Sequence, residues 1–211
     1  MQIVIALFDR FTALDAVGPH QVLHHLPGAE VIFAADRVRG ITDESGTLTL
    51  QARAAYADVP RPDIIVVPGG PGQAAQMTQG PLQDWLIEAD KTSTWTTSVC
   101  TGALILAAAG LLAGRAATTY WLALDELGRL GATAKRERYV FDGKYVTGAG
   151  VSAGIDMALA LAGRVAGDEE AKGIQLAIEY DPHPPYQSGS PATASQEIVA
   201  PFVARSRFAR V

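Results

Sequence analysis

Cysteine is almost absent: Cys100 is the only one in 211 residues. A lone thiol cannot close an intrachain disulfide, so the fold must rest on a hydrophobic core. At 48% hydrophobic residues the chain is long enough to build one, and a single domain over 1–211 is the expectation. A basic block is missing too. The formal net charge is -5, with 17 Lys and Arg scattered among 22 Asp and Glu, so there is no electrostatic footprint for nucleic acid. No run approaches the ~20 apolar residues of a membrane span. The opening "MQIVIALFDRF" has neither a basic leader nor a small-residue cleavage site. A cytoplasmic protein with no membrane partner is expected. Phosphate and metal signatures are also lacking: "GGPG" has no Lys-Ser/Thr pair after it and is a weak dinucleotide fingerprint, so neither cofactor nor metal is expected.

What is present is an alternation of strand-like and helix-like segments. "QIVIALF" (2–8), "AEVIFAAD" (29–36), "PDIIVVPGGPG" (62–72) and "TSTWTTSVC" (92–100) are apolar or β-branched runs of strand length, as expected for strands buried on both faces. Between them lie helix-like stretches. Gly18-Pro19 predicts a helix over 18–28, small residues predict one over 101–114, and others are expected around Trp121–Leu130 and over 152–167. "GITDESGTLTLQA" (40–52) alternates like a peripheral hairpin, and Asp142-Gly143 marks a second. The pattern predicts an α/β doubly wound, mostly parallel sheet sandwiched by helices, with ligands outside the carboxyl ends of its strands. Residues 179–195 are irregular, suited to a disordered stretch or to an ordered loop over a site or subunit contact. The tail "FVARSRFARV" reads as a frayed basic helix or a solvated end.

Cys100 falls where a strand-like run breaks into a helix-like run. A nucleophile elbow needs small neighbours at such a turn, and "SVCTG" supplies Ser98 two before and Gly102 two after. Helix amides beyond the turn would lower the thiol pKa and stabilise an anion. The competing reading is a buried thiol acting as a small hydrophobe. A hydrolytic cysteine needs a nearby base. His20, His24, His25 and His183 offer none beside Cys100, and His24 and His25 read as a solvated helix face. Asp15 follows the first strand's carboxyl end between apolar residues, where it would serve either as a helix cap or as an acid of raised pKa. Thr101 could donate a hydroxyl hydrogen bond to the site or to backbone.

The stretches "LDAVGPHQVL" (14–23), "DIIVVPGG" (63–70), "TSVCTGALILAAAGLLAGRAATTYW" (97–121), "VTGAGVSAGIDMALAL" (146–161) and "LAIEYDPHPPYQSGSP" (176–191) together resemble the DJ-1/PfpI superfamily, and within it the group that hydrates isonitriles. The resemblance implies a flavodoxin-like sheet and a homodimer. It makes Cys100 the nucleophile, Asp15 its acid partner and Thr101 the residue after the nucleophile. It places Gly69 and Gly70 amides near the substrate, with Val151 and Trp121 at an apolar pocket. Tyr120 in "TTYW" stands where many relatives carry histidine, which weakens a protease or amidase reading. The implied activity is hydration of an isonitrile to the N-substituted formamide through a Cys100 thioimidate, Asp15 serving as general acid and base. The alternatives are a hydrolase, deglycase or glyoxalase acting on small carbonyls, or a redox-sensing or ligand-binding module built on an oxidisable thiol.

Overall fold

A computed structural model describes residues 1–208. In chain order it contains β1 (Gln2–Ala6), α1 (Ala13–Leu23), β2 (Glu30–Ala35), β3 (Gly40–Thr42), β4 (Thr49–Gln51), β5 (Ala54–Ala55), β6 (Ile64–Val67) and α2 (Gln73–Gln76). Next come α3 (Pro81–Asp90), β7 (Trp95–Val99), α4 (Gly102–Ala108), β8 (Ala116–Ala117), α5 (Leu124–Arg129), β9 (Thr133–Ala134), β10 (Tyr139–Asp142) and β11 (Tyr145–Gly148). The helices α6 (Ala153–Ala166), α7 (Asp168–Ala177) and α8 (Gln196–Arg205) follow.

Seven strands form the main sheet in the order β10-β11-β7-β6-β1-β2-β5. Every neighbouring pair is parallel except the β10/β11 hairpin at one edge. This is the expected doubly wound, flavodoxin-like arrangement. The central strands are continuous apolar runs because helices cover both faces: Ile3, Val4, Ile5 and all of β6 are fully buried. β3 and β4 pair as the expected peripheral hairpin, Gly40 opposite Gln51.

Three expectations are corrected. α1 begins at Ala13, not Gly18, and Pro19 lies inside it. Gly18 is there for packing: a methyl on it would lie 3.1 Å from Ile155 of α6, against which α1 rests. Pro19 has no N–H to give the Asp15 carbonyl, so the helix lacks that internal bond. α4 ends at Ala108 instead of continuing to 114, because Gly110 turns left-handed at φ 79°. The tail forms α8, six residues earlier than "FVARSRFARV" begins; residues 209–211 of that stretch lie outside the described part. Residues 179–195 form no helix or strand and are mostly exposed.

Candidate active site

Four carboxyl ends converge on one crevice. β1 leads into α1, β6 into the glycine loop 68–72, β7 into Cys100, and β11 into the turn before α6. This is where a doubly wound sheet places a ligand, beside the strand order's reversal at β1.

Cys100 occupies the tightest turn. Its φ is 57°, a left-handed value that is rare for a residue with a side chain and costs ~1–3 kcal/mol. Its surroundings hold it there. The Cys100 N–H is shared between the carbonyls of Gly148 (3.0 Å) and Ala149 (2.8 Å), and its own carbonyl accepts from the Thr119 hydroxyl at 2.8 Å. Gly102 must be glycine because a methyl there would run into the Val67 carbonyl oxygen. Gly150 is similarly confined: its methyl would fall 2.6 Å from Tyr120 Cδ2 and 3.6 Å from the Cys100 sulfur. The elbow is thus built by the loop after β11, through Gly150 and two carbonyls, as well as by its own sequence.

Asp15 lies in the first turn of α1, fully buried. Two reciprocal bonds tie this turn to the glycine loop. Thr12 N–H donates to the Gly69 carbonyl at 2.8 Å, and Gly69 N–H donates to Asp15 Oδ2 at 2.9 Å. The other oxygen, Oδ1, is sealed from solvent and has no hydrogen-bond partner of acceptable geometry. Burial is the main reason the carboxyl is pushed up to about 8; the Gly69 amide and the Cys100 side chain oppose the shift, and the negative charge of Glu44 adds to it. At neutral pH Asp15 is therefore mostly a neutral acid. Burial also raises the Cys100 thiol well above its usual value, and charge on Asp15 would raise it further; the Thr101 backbone amide pulls it down. Since each group's ionisation opposes the other's, the two titrate as a pair.

Thr101 acts through both backbone and side chain. Its amide faces the sulfur, and its hydroxyl oxygen accepts from Gly70 N–H at 3.0 Å. The amides of Gly69 and Gly70 are thus both engaged within the protein, one on Asp15 and one on Thr101. Gly69 itself has room for nothing larger, since a methyl on it would meet Thr101 N at 2.5 Å.

Cys100 opens onto a cavity of about 500 Å³, a volume suited to a small ligand. Gly70 and Val151, both expected at the substrate, line it together with Thr101 and Tyr120, whereas Gly69 lies outside the lining. Trp121 does not: the chain makes a 3-10 turn there, and Leu122 lines the cavity instead. Asp15 lies behind the wall, against Cys100. Thr12, Glu44 and the segment from Pro201 to Phe208 were not anticipated as lining. Glu44 is delivered by the β3–β4 hairpin, where its N–H donates to the Phe11 carbonyl at 2.9 Å; no local motif advertises it. None of the histidines lines this cavity; His20 stacks on Phe33 and the others are exposed. Among the described residues no group of three or more His, Cys, Asp or Glu is arranged to hold a metal ion. No described helix is long and apolar enough to cross a membrane.

A left-handed cysteine at the carboxyl edge of a flavodoxin-like sheet, set against a buried carboxyl, places the molecule among the doubly wound α/β proteins. The chain belongs to the DJ-1/PfpI family, whose model matches residues 1–164. It is 41% identical over 199 residues to the isonitrile hydratase of Pseudomonas putida, covering 94% of this chain and 87% of that one. It superposes on the crystal structure of a ThiJ/PfpI family protein from Pseudomonas syringae with a TM-score of 0.93 at 33% identity, covering 96% of this chain and 84% of the other. Drosophila melanogaster DJ-1beta, at 19% identity, shares the fold with a TM-score of 0.76 over 84% of this chain and 97% of its own.

Proposed function

We propose that the protein is an isonitrile hydratase, converting R–N≡C to the N-substituted formamide with Cys100 as nucleophile and Asp15 as general acid and base. The observation that carries this reading is the fully buried Asp15 carboxyl against the Cys100 thiol, where burial pushes it up to about 8, at the head of a largely apolar cavity. The 41% identity to the Pseudomonas putida hydratase supports it. An isonitrile carbon accepts a proton and a thiolate on the same atom. A thiol and a neutral carboxyl in contact supply both.

In the first step the Cys100 sulfur bonds to the terminal carbon while Asp15 delivers its proton to that carbon; the thiol proton passes to the carboxylate left behind. The product is a thioimidate, Cys–S–CH=N–R, and Asp15 is again protonated. Protonation of the imine nitrogen by Asp15 then invites water, and the resulting carboxylate takes the water proton. Collapse of the tetrahedral adduct breaks the carbon–sulfur bond, releases H–CO–NH–R and returns the proton to sulfur. Water is the only co-reactant. The Thr101 amide steadies the sulfur whenever it is anionic, and Val151, Gly70 and Tyr120 bound the substrate. A histidine is not needed in this scheme, so Tyr120 in its place is no obstacle.

We read the chain as one catalytic domain, acting as a cytoplasmic homodimer; light scattering on the purified protein checks the oligomeric state. The decisive assay is incubation with cyclohexyl isonitrile, with the formamide followed by mass. Wild type should turn over. Cys100→Ala should be inactive, and Asp15→Asn should lose at least about a hundredfold, the usual scale for a general acid. Full activity in either variant overturns the roles. Turnover of methylglyoxal without turnover of the isonitrile would favour the small-carbonyl reading instead, and Cys100 oxidation with no product a sensor.

A further inference from the structure

The inner part of the cavity is built from the sheet's carboxyl edge, but its outer wall is the end of the chain. Pro201, Phe202, Arg205, Ser206, Arg207 and Phe208 all line it. α8, which carries the first three, has no buried residue of its own. Phe202 is 56% exposed although it faces a cavity whose other end holds Cys100 at 5%. Packing of the helix therefore does not explain its position.

Arg207 does. One guanidinium nitrogen, Nη1, donates to the Pro71 carbonyl at 2.8 Å; the other, Nη2, donates to the Gly70 carbonyl at 3.2 Å and to Gln73 Oε1 at 2.8 Å. Gln73 is itself buried. The guanidinium also lies over the Phe208 ring, 4.9 Å from its centre, and Phe208 packs against the core cluster. The planar fork reaches three acceptors at once, which a lysine's ammonium at the end of a flexible stem could not reproduce. It clamps the tail onto the same glycine loop whose amides engage Asp15 and Thr101.

We infer that Pro201–Phe208 is the element that selects the hydrocarbon group of the substrate, with Phe202 and Phe208 forming its apolar wall and Arg207 the positioning residue that holds the wall shut. The assignment of the substrate rests on the hydratase reading. An isonitrile is linear through R–N≡C, so once its terminal carbon is at the Cys100 sulfur, R must project away from the elbow and toward the mouth. The reacting carbon and nitrogen are the same in every isonitrile. Discrimination between substrates then falls to whatever R meets, and at the mouth that is the tail.

Two readouts separate this inference from the reading it rests on. The first is kcat/KM for cyclohexyl against methyl isonitrile in wild type, Phe202→Ala and Arg207→Ala. Removing about half of a phenylalanine's burial should lower the cyclohexyl-to-methyl ratio about tenfold, carried mainly by KM. The second needs no turnover: alkylation of Cys100 by N-phenylmaleimide against iodoacetamide, followed by intact mass. Opening the wall should raise the ratio of bulky to small reagent at least about fivefold in Arg207→Ala, and Arg207→Lys should behave like the alanine variant. Unchanged alkylation ratios, or full rescue by lysine, would overturn the inference even in an active hydratase. If wild type hydrates no isonitrile the hydratase reading fails, and the alkylation ratio still decides whether the tail walls the cavity.

Discussion

Asp15→Asn is expected to stabilise the protein near neutral pH while disabling it. The carboxyl's ordinary value is 3.8 and its value in the fold is about 8. Between those limits the unfolded chain has released its proton and the folded protein has not. The unfolded state therefore binds fewer protons, and stability falls as pH rises through this window. Below about pH 4 both states are protonated and nothing is lost. At 1.36 kcal/mol per pH unit, the accumulated loss at pH 7 is about 4 kcal/mol. Asparagine keeps an oxygen for the Gly69 N–H but presents an unpaired amide where Oδ1 has no partner, which costs ~1–3 kcal/mol. The net gain at pH 7 is then about 1–3 kcal/mol, or ~2–10 °C in Tm for a chain of this size. At pH 4.5 the same substitution should be neutral or destabilising. Calorimetry of both proteins at pH 4.5, 7 and 8.5 reads the crossover directly. Parallel Tm curves would mean that Asp15 titrates like a surface carboxylate, and the acid role would fall with it.

Other substitutions probe the elbow and its frame. Because Cys100 has φ 57°, Cys100→Gly should be more stable than Cys100→Ala by about 1 kcal/mol, reversing the usual order of those residues; urea melts of the two inactive variants check it. Gly102→Ala would drive its methyl into the Val67 carbonyl and should cost about 1–3 kcal/mol together with most of the Cys100 reactivity, measured by denaturation and thiol alkylation. Tyr56 is buried, and its hydroxyl donates to the Leu7 carbonyl at 2.8 Å, away from the sulfur. Tyr56→Phe should lower stability by about 1–2 kcal/mol, read by urea denaturation.

The sheet was legible because its strands lie between two layers of helices and so appear as uninterrupted apolar runs; 64–67 is the clearest, with every side chain buried. The start of α1 was not. Gly18-Pro19 carries the local signature of a helix beginning, yet packing on Ile155 puts both residues in the interior, so tertiary contact overrode a propensity signal. Cys100 and Thr101 stood out because they close a strand-like run, and Asp15 because it follows one and opens a helix, positions that topology converts into proximity. Glu44, Leu122 and the tail lacked any such marker. Glu44 is brought in by a hairpin, Leu122 by the phase of a single 3-10 turn, and Arg207 by three hydrogen bonds to residues more than 130 positions away. One signal in the tail was available: Phe202 and Phe208 flank two arginines in a stretch otherwise expected to be solvated.

Pro19 has a mechanical consequence for the acid. With no amide on residue 19 to hold the Asp15 carbonyl, one rung of α1 is missing behind the acid, while two hydrogen bonds tie its turn to the loop at Gly69. Any shift of the loop at Gly69 therefore reaches the carboxyl directly, through the amide that holds its oxygen.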